Sequence, residues 1–179
     1  MVDTSLLFEP LEIRGKRLRN RIVMPPMVVN RGIDTPAGIA WYGVHARGGV
    51  ALVIVEATGV DGFAVQHTPD TLRPLVDAIH EGGALAAIQL FPGSRGQRVA
   101  PTEMDKARIE AIVTLYAEAT AVCARAGFDG VEIHGAHGFL LNQFFSPTQN
   151  TRRDAYGATL GGRMMLKRVM GKASFATLQ

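Results

Sequence analysis

The stretch YAEATAVCARAGFDGVEIHGAHG, Tyr116–Gly138, contains a complete junction between a helix and a strand. Ile109, Ile112, Val113, Tyr116, Ala119, Thr120 and Cys123 recur at i, i+3, i+4 spacing, which marks one apolar helix face, and Gly127 supplies the stop. After Gly127 the period changes. In Gly130–His134 (GVEIH), Val131 and Ile133 fall on one side of an extended chain and Glu132 and His134 on the other. The spacing predicts a helix from about Met104 to Ala126 that feeds a strand, with His134 and His137 at the strand's carboxyl end.

The same unit repeats upstream. Arg21–Met24, Ala51–Ala57 and Ala84–Leu90 read as strands, mostly without polar alternation, as expected for parallel strands covered on both faces. Between them, Thr35–Arg47 and Thr68–Glu81 each open on Thr-Pro and end at a Gly-Gly pair, a cap followed by a stop. A last helix is expected near Gly162. The order β-α-β-α-β-α-β-α predicts right-handed βαβ units on a parallel sheet, in a single domain over residues 1–179. Four such units form either an open sheet or half of an eight-unit barrel, which needs about 250 residues when whole.

Composition narrows the function classes. The 179 residues are 47% hydrophobic and 20% charged, which predicts a packed core. Lys+Arg 19 against Asp+Glu 16 leaves +3 with no basic run, so neither nucleic acid nor a membrane surface is an expected partner. The single cysteine, Cys123, lies on the apolar helix stripe and reads as a buried thiol in a reducing compartment. The opening MVDTSLLFEP lacks a basic region followed by an apolar one, and a cytoplasmic chain is expected.

In βα architectures the chemistry collects at the carboxyl ends of the strands. Here those ends carry Pro25-Pro26-Met27, then Glu56-Ala57-Thr58, then Gln89, then His134 with His137 after it. An amide on an apolar strand donates and accepts together, which suits the edge of a heterocycle, although Gln89 equally suits a structural bond inside the fold. His134 and His137 read either as a metal-chelating pair lacking an evident third ligand or as two hydrogen-bond donors to a carbonyl or anionic oxygen. Gly93-Ser94-Arg95-Gly96 is only loosely a phosphate loop, and Arg152-Arg153-Asp154 reads as a salt-bridged loop.

Ala126–Gly138 together with Ser146-Pro147, Asn150, Arg152, Asp154, Tyr156-Gly157 and Arg163 resembles the Old Yellow Enzyme family, the FMN-dependent ene-reductases. So do Leu18–Met27, Val55–Thr58 and Ile88–Leu90, and the motifs run in order from about Leu7 to Met165. The resemblance implies a partial TIM barrel of about four βα units, a half-barrel, with FMN at the top of the strands and NAD(P)H as electron donor. It implies that Pro25, Pro26, Met27 and Val28 line the flavin, that Ala57 contacts it through its backbone, and that Gln89 bonds the pyrimidine edge. His134 and His137 would hold the carbonyl oxygen of an enone-like substrate, and no metal is implied.

The sequence departs from that family in four places. Phe139 stands where a proton-donating Tyr is common, and Val28 where many members have Cys or Thr. The segment after Gln89 is short and reads Leu90-Phe91-Pro92-Gly93-Ser94-Arg95. The chain reads as truncated, without the later strands and their phosphate-binding loops, and Lys167–Gln179 leaves the family pattern. Two expectations follow. One is the N-terminal half of an FMN oxidoreductase, completed by a second copy or by a separate C-terminal half. The other is a catalytically silent half-barrel that serves as a remnant or an interaction module.

Overall fold

Among the described residues, six strands and five α-helices follow one another in the order β-β-β-α-β-α-α-β-α-β-α. The computed structural model describes residues 3–93 and 99–157. The helix expected near Gly162, Arg163, the residues after Gly157 and the Ser94–Gly96 part of the loose phosphate-loop motif lie outside the described residues.

Four strands make one parallel sheet in sequence order: β3 (Val23–Met24), β4 (Leu52–Gly59), β5 (Leu85–Phe91) and β6 (Gly130–Ile133). The helices expected between them are α1 (Pro36–Arg47), α3 (Pro69–Glu81) and α4 (Lys106–Ala126). Their ends follow the sequence signals. Thr35 and Thr68 accept from the backbone N–H groups of Gly38 and Thr71, and Asp105 accepts from that of Arg108. Each Gly-Gly stop divides its work. Gly48 and Gly82 remain right-handed at φ −65° and −73°, while Gly49 and Gly83 take φ +108° and +78° and turn the chain toward the next strand.

The core lies between the sheet and these helices. Val53, Val55, Ala86, Ile88, Leu90 and Val131 meet Tyr42, Leu72, Leu75, Val76, Ile79, Ile109, Ala119 and Cys123. Leu72, Leu75, Ile79 and Ile88 are wholly enclosed, and each such side chain contributes about 1.5–3 kcal/mol of burial. Cys123 is buried as expected, and burial pushes its thiol up to about 12.

The opposite face of the sheet has its own small cluster, which the sequence reading did not anticipate. A hairpin, β1 (Leu11–Ile13) and β2 (Lys16–Leu18), turns on Arg14-Gly15 with φ +47° and +76°, a two-residue loop of the type I′ kind. Its Leu18, with Leu11 and Ile13, covers Ala51, Leu52, Leu85 and Ala87 near the amino ends of the strands. Lys16 Nζ reaches Asp129 Oδ1 at 2.7 Å, and His80 Nε2 reaches Oδ2 at 2.8 Å. The hairpin, α3 and the start of β6 are thus tied on one carboxylate, and the carboxyl ends stay clear.

The first strand is shorter than expected. It covers only Val23–Met24, because the Arg21 N–H is turned onto the Leu7 carbonyl at 2.9 Å. Two short helices also went unpredicted: α2 (Phe63–Gln66), and α5 (Leu140–Phe145), which follows the histidine segment.

Candidate functional site

The parallel register brings the predicted residues to one rim. Pro25, Pro26, Met27 and Val28 form the segment directly after β3, and Met27 and Val28 are 62% and 59% exposed. Ala57 lies in a bulge of β4. Val55 pairs with Ile88 and Thr58 with Leu90, so Glu56 and Ala57 together stand opposite Gln89. Gln89 pairs in turn with Glu132 on β6, and the His134 N–H extends that ladder to the Leu90 carbonyl at 2.9 Å.

By alternation, Glu56, Gln89, Glu132 and His134 face away from the helix-side core. Two of them, Glu56 and His134, are among the four buried polar or charged side chains of the described residues. Each has a partner, as buried polar groups require. A Glu56 carboxylate oxygen accepts from the Val29 N–H and anchors the segment that carries Met27 and Val28. The Glu56 N–H donates to Tyr42 Oη at 3.2 Å, and burial pushes this phenol up to about 12. Gln89 Nε2 donates to Glu132 Oε1.

His134 is held in one tautomer. The Ala136 N–H donates to Nδ1 at 3.2 Å, so in the neutral ring Nε2 bears the hydrogen. Burial and the nearby His137 hold this imidazole below its ordinary value, with Glu132 pulling the other way. His137 sits in a left-handed turn, φ +58° followed by Gly138 at +75°. That turn brings the two imidazoles edge to face, with centroids 5.2 Å apart. Phe139 packs edge-on to His134 at 4.9 Å and to Phe91 at 6.0 Å. No cluster of three or more His, Cys, Asp or Glu able to hold a metal occurs among the described residues.

The segment after α5 is held by side-chain bonds to backbone carbonyls. Asn150 Nδ2 donates to the Phe144 and Tyr156 carbonyls at 2.9 and 2.8 Å. Arg152 donates to the Pro101 carbonyl at 2.6 Å and to that of Met104, and pairs with Asp154 as the sequence suggested. This segment is therefore bolted to the turn before α4.

Sequence reasoning listed Glu56 without a task and placed Glu132 on the His134 side without one. A lone charged residue near the carboxyl end of an otherwise apolar strand was the available signal. Nothing local marked the Asn150 clamp.

Residues 6–100 and 93–168 match the NADH:flavin oxidoreductase / NADH oxidase family. The chain belongs to that family.

Relatives include NADPH dehydrogenases of Geobacillus sp. (strain WCH70), 37% identical over 87% of this chain and 55% of that protein, and of Clostridium acetobutylicum, 35% identical over 92% and 58%. The fold is similar to the old yellow enzyme homologue from Zymomonas mobilis, with TM-score 0.75 and 25% identity over 90% of this chain and 57% of that one. It is also similar to histamine dehydrogenase from Rhizobium sp. 4-9, with TM-score 0.78 and 26% identity over 91% and 29%. The chain is a partial barrel and spans a little over half the length of the curated relatives it matches. No helix of the described residues is long and apolar enough to cross a membrane.

Proposed function

We propose that this chain supplies the N-terminal, carbonyl-binding half of an FMN-dependent NAD(P)H oxidoreductase of the ene-reductase type, acting on the alkene of an α,β-unsaturated carbonyl. The observation that carries the reading is the His134 Nε2–H, fixed as a donor by the Ala136 bond on the same rim as Gln89.

The residues present suit the isoalloxazine part of FMN. Exposed Met27 and Val28 offer apolar surface, and the half-buried Gln89 amide offers an acceptor and a donor. Barrel enzymes frequently hold phosphate with the loops after strands seven and eight, which are not among the described residues. When bound, FMN supplies the hydride, renewed from NAD(P)H.

The protein's own task is to make the substrate's β-carbon electron-poor. The His134 Nε2–H donates to the carbonyl oxygen, with His137 as a second donor. Phe139 has no proton to give, so the proton for the α-carbon comes from water.

Titration of the purified chain with FMN, followed by its visible spectrum, tests the reading. Binding is expected to shift and sharpen the flavin bands, and a spectrum equal to free FMN at every ratio overturns it. With flavin bound, His134→Ala should weaken phenol or enone ligands and lower turnover about 100-fold. Phe139→Tyr should speed alkene reduction where proton delivery limits the rate.

A second reading draws on the sheet itself. Among the described residues β3 and β6 each pair on one side only, and Val23 on β3 is 40% exposed. Such edges favour pairing with another chain. The edges support a reading in which a second copy or a complementing C-terminal half completes the sheet, and sedimentation of the purified chain as a monomer at all concentrations would remove the second copy.

A further inference from the structure

Glu132 has no task in the mechanism above, yet it touches the residue placed at the cofactor edge. It stands directly opposite Gln89 in the β5–β6 register, two residues before His134, and its Oε1 accepts from Gln89 Nε2. A carboxylate oxygen accepts, so the Gln89 amide meets it through its NH2 group. The torsion that turns a glutamine amide is broad and nearly two-fold, and a half-buried amide left alone samples both faces. The bond to Glu132 removes that freedom. The amide oxygen and the second N–H are left facing away from Glu132, with acceptor and donor in a defined order.

We propose that Glu132 is a positioning residue that locks the Gln89 amide, so that its oxygen receives the ring N–H of an imide-type heterocycle edge. This rests on the flavin reading for the identity of the heterocycle. The lock itself concerns only two side chains of this chain.

Glu132→Gln is the informative change, because it keeps the size while giving position 132 a donor as well as an acceptor. Gln89 can then bond in either orientation. The first measurement needs no flavin. In the wild-type chain the two side-chain N–H signals of Gln89, assigned by their loss in Gln89→Ala, are expected to be split more widely than those of a free glutamine, and Glu132→Gln should narrow the splitting toward the free value. The second compares FMN with N3-methyl-FMN, which lacks the imide hydrogen, by quenching of flavin fluorescence. The wild type should prefer FMN about tenfold, the worth of one well-made hydrogen bond. Glu132→Gln should lose that preference and leave N3-methyl-FMN binding unchanged.

A loss of affinity equal for both flavins would indicate a merely structural role and overturn the proposal, as would a wild-type amide splitting no wider than that of a free glutamine. Should neither flavin bind the wild type, the flavin reading fails, and the amide signals alone decide the lock. A Glu132→Gln chain that does not fold leaves the wild-type splitting and the wild-type flavin preference as the deciding results.

Discussion

The backbone N–H of Ala136 points at Nδ1 of His134 from 3.2 Å, two residues away, so a tight turn decides which ring nitrogen carries the hydrogen. Nothing about the histidine itself sets this. The left-handed His137-Gly138 pair that follows turns the second imidazole against the first.

Nitrogen NMR of the imidazoles should therefore show His134 as the Nε2–H tautomer at neutral pH, with protonation below its ordinary 6.5 because burial and then His137 oppose the charge. Just below 6.5 the unfolded chain binds a proton on this ring that the folded chain refuses, so stability falls as pH drops through that window. Changing His137→Ala should move the midpoint upward. A midpoint at or above 6.5 in the wild type would contradict the geometry.

Asp129 should make the fold acid-sensitive. Burial raises its carboxyl, but the bonds from Lys16, the Ala86 N–H and His80 outweigh this and hold it below 3.8. Its contribution is thus complete above 3.8 and disappears as pH falls through the folded value. Asp129→Asn should cost about 1–3 kcal/mol in urea unfolding at neutral pH. The variant should also lose less stability than the wild type on acidification.

Gly38 seats the segment before α1. A Cβ there would lie 1.8 Å from the Gly32 carbonyl oxygen, so Gly38→Ala must displace the Gly32–Ile33 backbone, which follows the Met27–Val28 segment. We expect a loss of about 1–3 kcal/mol and weaker flavin binding together. An unchanged melting temperature would show that the segment does not rest on the helix.

Cys123 is wholly enclosed, with its thiol pushed up to about 12. A chromogenic disulfide reagent should react with it only after denaturation. Stoichiometric reaction of the folded chain at neutral pH would contradict the packing.

Most of the βα order was legible because its signals are local. The Thr-Pro starts, the Gly-Gly stops, the helical stripe through Ile109 and Cys123 and the apolar strands each declare themselves within a few residues. The Arg14-Gly15 hairpin was not legible. Its strands have three residues each and earn their place only by covering Leu52 and Leu85, far along the chain. The shortening of the first strand has the same origin, a bond from Arg21 to Leu7 outside any periodic segment.

The candidate site divides in the same way. The amino-acid order alone set which residue types stand at the carboxyl ends, because a period of two carries Gln89, Glu132 and His134 to one side of their strands. Only the folded chain decided what those groups can do. The bulge that sets Glu56 and Ala57 opposite Gln89, the anchor from Glu56 to Val29 and the bond between Gln89 and Glu132 all join strands or segments that no local pattern connects. Residues 43 apart in sequence fix the amide of Gln89. Hydrogen-bond direction is a property of the pair in space, and a strand pattern specifies the face without specifying the partner.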